Sequence, residues 1–133
     1  MKVEAYLMMD GRADEAIEFY KKAVGATVKM LLRFKDAPEG TCKPGSENKV
    51  MHGHMMIGET GVMISDGYCN GAPKFEGFTL TITAKTDAEM EKLFAALAEG
   101  GKVNVPLAKT FFSSRFGMLA DKFGVHWTIL TGQ

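Results

Sequence analysis

A pattern of helix, glycine and strand occurs twice along this chain, and it constrains the fold more than any other feature of the sequence. Each copy has four apolar residues at helical spacing. The two sets are Ala16, Phe19, Tyr20 and Ala23, and then Met90, Leu93, Phe94 and Leu97. A glycine and an alternating strand follow each set, and Gly100 lies 75 residues after Gly25. Chance can produce such an order in an α+β chain, but two matching stripes favour an internal duplication.

Apolar periodicity predicts the same order of elements in both halves. In the first half the predicted elements are a strand over residues 3–9, a helix over 12–24 and strands over 27–34, 50–57 and 62–65. In the second half they are a strand over 78–83, a helix that begins after Thr86, and strands over 102–107, 116–120 and 125–130. Thr86 and Glu89 form a capping-box pattern, and Gly25 and Gly100 stand where the two helices should end.

We therefore predict an α+β fold in which one domain, residues 1–133, is built from two βαβββ modules. The modules span approximately residues 1–68 and 75–133. Neither module alone could bury both faces of its sheet, so we expect curved mixed sheets around a cleft with the helices outside. Such a fold leaves strand edges and apolar surface that a second copy would cover, so we also expect a homodimer.

Composition excludes several classes of partner. The 16 basic and 16 acidic residues balance, and a non-specific nucleic-acid binder needs clustered positive charge. No apolar run approaches the roughly 20 residues of a membrane span, and the start MKVEAYLMMDG does not resemble a signal peptide. Cys42 and Cys69 lie in no CxxC motif, which argues against a redox pair or a zinc knuckle. We expect a reduced, cytoplasmic protein whose partner is a small molecule.

Histidines and carboxylates offer two kinds of chemistry. His52 and His54 are two residues apart on a predicted strand and should share one face. With Glu4, Asp66 or His126 they could form an imidazole and carboxylate set suited to zinc or iron. One hydrogen-bonded wall histidine and one surface histidine explain the same spacing, and we favour that interpretation. Either Glu4 or Asp66 could act as an acid or base in an apolar cleft, although a solvated carboxylate at a strand edge is more common.

Apolar residues suggest a binding surface. Methionines fall on several predicted strands, where with aromatic residues they could line a pocket, although alternation sends about half of them into the core. The candidate ligand-binding residues are Tyr6, Met8, His52, His54, Phe112, Arg115, His126 and Thr128. Nucleophile elbows and phosphate-binding glycine motifs are missing from the sequence.

Four segments resemble a known family. The frames GGxVxxPLxxTF and RFGxLxDKFGVxW near the end, the opening YLMMDGRADEAIEFYKKAVGA and the strand pair VMHGHMMIGETGVMISD resemble the PhnB-like branch of the vicinal oxygen chelate superfamily. This superfamily includes glyoxalases, bleomycin-resistance proteins and dioxygenases. The resemblance covers nearly the whole chain. It implies two βαβββ modules that face each other around a cleft, commonly in dimers.

The resemblance also implies where a metal would bind. Metal-using members take ligands from the first and last strands of the modules, positions that correspond here to Glu4 and Thr128 and to the stretch around Thr79. Threonine hydroxyls are poor ligands for a transition metal, so we predict no cofactor and no metal at that site. The alternative is a divalent metal held by Glu4 and His52 or His54.

The functional prediction follows from these residues and from the resemblance. It is a small-molecule-binding protein with an apolar cleft, and the residues leave open whether it is an enzyme. The alternative is a metal-dependent isomerase, lyase or dioxygenase that acts on a small oxygenated substrate. Some members of the branch carry a demethylubiquinone methyltransferase label. A duplicated βαβββ chain lacks the doubly wound sheet and glycine-rich turn that usually bind S-adenosylmethionine.

Overall fold

The structure, a computed structural model, describes residues 1–38, 44–67 and 71–131. Cys42 and Cys69 lie outside the described residues, so the structure does not bear on their predicted lack of pairing. The chain divides into two compact units, Met1–Pro73 and Lys74–Gln133, which we call unit 1 and unit 2.

Unit 1 has the predicted βαβββ order. Its elements are β1 (Ala5–Met8), α1 (Ala13–Val24), β2 (Thr27–Arg33), β3 (Val50–Ile57) and β4 (Thr60–Ser65). The strands form one sheet in the order β1-β4-β3-β2. The β1–β4 pair is parallel and the other pairs are antiparallel, so the sheet is mixed.

Unit 2 repeats this topology. Its elements are β5 (Leu80–Ala84), α2 (Asp87–Ala98), β6 (Lys102–Ala108), β7 (Phe116–Ala120) and β8 (His126–Thr131). The sheet order is β5-β8-β7-β6, and the β5–β8 pair is again parallel. The two units therefore share one strand order and one pattern of strand directions, which confirms the predicted α+β fold with two βαβββ repeats.

Local signals placed both helices correctly. Gly25 adopts a left-handed conformation with φ 68°, and its N–H donates to the Tyr20 carbonyl to end α1. The Thr86 side chain accepts a hydrogen bond from the Glu89 N–H at 3.2 Å, so the predicted N-cap of α2 is confirmed. The predicted apolar stripe of α1 is buried through Ala16, Tyr20 and Ala23. In the part of the chain that the structure describes, neither helix is long and apolar enough to cross a membrane.

Strand ends differ from the predictions by a few residues. The strand predicted over 3–9 is shorter because β1 pairs with β4 only from Ala5 to Met8. The strand predicted from residue 62 instead begins at Thr60, since Gly58 and Glu59 alone form the turn after β3 and Gly58 has φ 59°. The alternation of apolar and polar side chains continues beyond the paired residues. The strand itself ends where its pairing with the neighbouring strand ends.

Candidate functional site

The sheet of unit 1 has one buried face and one exposed face. Alternate residues such as Leu7, Met55 and Ile64 are buried on the side where α1 packs against β3. The opposite side, which we call the exposed face, carries Glu4, Tyr6, Met8, Met30, His52, His54 and Met63. Four large apolar side chains on it are well exposed: Tyr6 by 41%, Met8 by 39%, Met30 by 42% and Leu32 by 37%.

Strand register brings the central residues of this face into one row. Tyr6 of β1 lies opposite Met63 of β4, Met63 lies opposite His54 of β3, and His54 lies opposite Met30 of β2. Directly opposite side chains on one face are close enough to contact each other or a shared ligand. An imidazole flanked by two thioethers and a phenol therefore forms the centre of the exposed face.

Glu4 and His54 form the first of two polar pairs on the exposed face. The His54 Nε2 and Glu4 Oε2 atoms are 3.1 Å apart, and the side chains are only 29% and 18% exposed. Glu4 precedes β1 and His54 lies on β3, so the pair spans the intervening strand β4. The Lys2 ammonium lies 4.0 Å from the other Glu4 oxygen.

Gly61 is the residue of β4 beneath this pair. A Cβ atom at this position would collide with the Glu4 carboxylate and would lie 2.6 Å from His54 Nε2. The pair therefore depends on a position without a side chain. The sequence predicts a strand only from residue 62, so Gly61 falls in the connection before it. No local pattern reveals which side chains cross a strand from its two neighbours.

We predict that Gly61→Ala opens the Glu4–His54 pair and leaves the fold intact. Both colliding atoms are ends of flexible side chains, and a partly exposed contact between histidine and carboxylate contributes about 1 kcal/mol or less. NMR of the histidine rings should show the His54 signals moving as they do in Glu4→Gln, with little change in the unfolding free energy. Thr60→Ala, next to it on β4, is the matched control. Unchanged His54 signals in Gly61→Ala would contradict the geometry.

Tyr6 and His52 form the second pair. The Tyr6 hydroxyl and His52 Nδ1 are 2.7 Å apart, and the two rings meet edge to face at 5.4 Å and 70°. This pair also links β1 to β3 across β4. The structure thus brings together Glu4, Tyr6, His52 and His54, four of the residues that the sequence singled out.

Asp66 lies apart from these four residues and is 2% exposed. Its Oδ1 accepts hydrogen bonds from the N–H groups of Gly11 at 2.7 Å and Ala13 at 2.9 Å. Its Oδ2 accepts one from the Val50 N–H at 2.9 Å. The carboxylate thus joins the start of α1 to the start of β3. These contacts give Asp66 a structural role, and the acid–base role suggested by the sequence stays a prediction.

The remaining candidates lie in unit 2 at separate places. The Thr128 hydroxyl is buried and lies 2.8 Å from that of Thr79. His126 begins β8, whereas Arg115 lies beside Thr131 at its other end, where it forms ion pairs with α2. Phe112 is exposed and packs edge to face on Phe111 and Phe116. The structure does not gather these four residues into one cluster.

The described residues do not fit a transition-metal site. Catalytic zinc takes three ligands of the histidine, cysteine or carboxylate type. Among residues 1–38, 44–67 and 71–131, no group of three or more such side chains could hold a metal ion. His54 already contacts Glu4, His52 already contacts Tyr6, and the Thr79 and Thr128 hydroxyls contact each other.

Comparison with known proteins establishes the class and then the family. Two βαβββ units of this topology define a glyoxalase-like, vicinal oxygen chelate fold. A glyoxylase/bleomycin resistance protein/dioxygenase domain from Frankia sp. EAN1pec shares this fold, with a TM-score of 0.73 at 13% identity over 100% of this chain and 98% of that chain. The model of the family described as 3-demethylubiquinone-9 3-methyltransferase matches residues 1–130. The chain belongs to that family.

Two solved structures are more similar in sequence. Protein PA1353 from Pseudomonas aeruginosa is 34% identical over 100% of this chain and 98% of its own, with a TM-score of 0.89. A PhnB protein from Bacillus cereus is 30% identical over 99% of this chain and 100% of its own, with a TM-score of 0.83. The resemblance to the PhnB-like branch is therefore confirmed.

Proposed function

We propose that this protein binds a small molecule on the exposed face of unit 1. The observation that carries the proposal is that the exposed Tyr6, Met8 and Met30 side chains share one face of the sheet with two ordered polar pairs. Contiguous exposed apolar groups usually mark a binding surface, and a few placed polar groups orient the ligand. Thioethers contact aromatic rings favourably, so the ligand we expect has an aromatic body and one polar group.

Binding without methyl transfer accounts best for this site. The family's description names a methyl transfer, but a fold or a family name does not fix an activity. Methyltransferases commonly hold S-adenosylmethionine at the glycine-rich turn of a doubly wound parallel sheet. Each sheet that the structure describes is a mixed sheet of four strands instead.

The proposal is tested by screening small aromatic compounds with a thermal-shift assay and calorimetry. A compound that binds the folded protein raises its unfolding temperature. Tyr6→Ala and Met30→Ala should weaken the binding of each compound found. Phe111→Ala, which removes a fully exposed aromatic ring in unit 2, should leave that binding unchanged. Equal affinities in all three variants would place the binding site elsewhere.

We predict that the protein, purified without an affinity tag and dialysed, carries no stoichiometric zinc, iron, manganese or nickel. The basis is the donor set, since the two threonine hydroxyls compete poorly with water for a dication. Elemental analysis checks this. Near-stoichiometric metal that is lost in His52→Ala or His54→Ala would support the metal-dependent alternative. Metal retained in both variants would place the ligands among other residues.

We infer that the protein is a homodimer. Each four-stranded sheet ends in edge strands, and unit 2 exposes Phe78, Val103 and Val105. Exposed edges and apolar side chains are commonly covered by a symmetric partner. Light scattering at micromolar concentration should give twice the chain mass of 14.5 kDa. A monomeric mass would contradict the inference.

We also infer that the protein acts in the cytoplasm. Its two cysteines stand in no CxxC pattern, and the chain is large enough to fold without a disulfide. Fractionation of cells that produce the full chain tests this inference. Recovery outside the cytoplasmic fraction would contradict it.

A further inference from the structure

We propose that the ligand of the exposed face is an aromatic carbonyl compound whose oxygen accepts a hydrogen bond from His52 Nε2. This inference rests on the proposed binding site and adds the class of its ligand. The inference depends on which atoms of the two polar pairs carry hydrogen and can donate it. His52 is the specificity-determining residue, and Tyr6 is a positioning residue that acts through it.

We assign the Tyr6 hydroxyl as the donor and His52 Nδ1 as the acceptor in their contact, and this assignment sets the tautomer of His52. A phenol hydroxyl keeps its hydrogen at neutral pH and can donate it, while a neutral imidazole has one acceptor nitrogen and one donor nitrogen. With Tyr6 donating to Nδ1 over 2.7 Å, the hydrogen of the ring stands on Nε2. The edge-to-face contact of the two rings holds the imidazole in this orientation.

His52 Nε2 is then a donor without a protein partner among the described residues. The ring is half-buried, and a half-buried donor gains from a ligand acceptor. The other histidine differs, because its Nε2 already faces the Glu4 carboxylate. Of the two imidazole Nε2 atoms, that of His52 is therefore the one that remains for a ligand.

The surroundings of His52 favour an aromatic body on that ligand. The Tyr6 ring and the Met8, Met30 and Met63 thioethers occupy the same face. Sulfur–aromatic contacts and ring–ring contacts both favour a flat π-system. An oxygen acceptor attached to an aromatic ring satisfies the donor and the apolar surface together.

The test compares two probes of nearly the same shape, acetophenone and α-methylstyrene, in which a C=CH2 group replaces the C=O group. NMR titration should show acetophenone binding about two- to tenfold more tightly, the ratio that one neutral hydrogen bond supplies. Tyr6→Phe keeps the aromatic ring of residue 6 but removes the hydroxyl that holds His52 in one tautomer. The ratio of the two affinities should therefore fall towards one. The ratio should also fall in His52→Phe and stay unchanged in the control Phe111→Ala.

The outcomes separate this inference from the proposed function. If both probes bind equally to the unaltered protein, the carbonyl inference is wrong and the binding surface stands. If neither probe binds, both are contradicted.

The ¹⁵N signals of the His52 ring provide a test without any ligand. They should show hydrogen on Nε2 in the unaltered protein and a mixture of tautomers in Tyr6→Phe, and hydrogen on Nδ1 in the unaltered protein would overturn the inference.

Discussion

Replacing Asp66 with alanine should lower the free energy of unfolding by about 3–5 kcal/mol, because the change leaves three backbone N–H groups without their acceptor. Two of these belong to Gly11 and Ala13 at the start of α1, and the third belongs to Val50 at the start of β3. Each orphaned buried donor costs about 1–3 kcal/mol, and the costs are not strictly additive.

Urea unfolding followed by circular dichroism measures this effect. Asp36→Ala is the matched control, because Asp36 also accepts a backbone hydrogen bond, from the Arg33 N–H at 2.8 Å, but on the surface. The control should cost about 1 kcal/mol or less. If Asp66→Ala were equally mild and yet abolished ligand binding, the prediction that Asp66 is a functional carboxylate would be supported.

Trp127→Ala should cost about 3–5 kcal/mol, as expected for truncation of a large buried aromatic residue. The Trp127 side chain is 2% exposed, and its neighbours on alternate positions, Val125 and Ile129, are fully buried on the sheet that α2 covers. Trp127 therefore lies on the face of the sheet against which α2 packs. The indole Nε1–H donates to Asp121 Oδ2 at 2.9 Å, so truncation also removes a partner from a buried carboxylate.

Unfolding of Trp127→Ala must be followed by circular dichroism, since Trp127 is the chain's single tryptophan. The unfolding free energy of Trp127→Phe should lie between those of the unaltered protein and Trp127→Ala, because phenylalanine keeps most of the apolar volume but loses the hydrogen bond. Phe111→Ala, a fully exposed aromatic residue in the same unit, should cost less than about 0.5 kcal/mol. A loss below about 1 kcal/mol for Trp127→Ala would contradict the packing described here.

The sequence predicted the features that depend on neighbouring residues. The left-handed turn at Gly25, the cap at Thr86 and the apolar stripes of both helices all follow from spacings of a few residues. The duplicated strand order followed from the same local signals read twice. The placement of His52 and His54 on one face needed only the two-residue period of a strand.

Features that depend on distant contacts could not be predicted. Asp66 bonds to residues 55 and 53 positions away, and no local pattern distinguishes such a carboxylate from a catalytic one. Gly61 matters only because Glu4 and His54 reach over it from the two neighbouring strands. The alternation placed Tyr6 on one face of its strand and His52 on one face of another strand. It did not show that both side chains lie on the same side of the sheet, because that depends on the strand order.

Chemical-shift mapping during an acetophenone titration tests the central claim most directly. The claim is that a small aromatic molecule binds on the exposed face of unit 1. The account predicts that the largest changes fall on the backbone amides and methionine methyl groups of the strands of unit 1, centred on Tyr6, Met63 and His52. Changes confined to the strands of unit 2, or no saturable change at all, would contradict it.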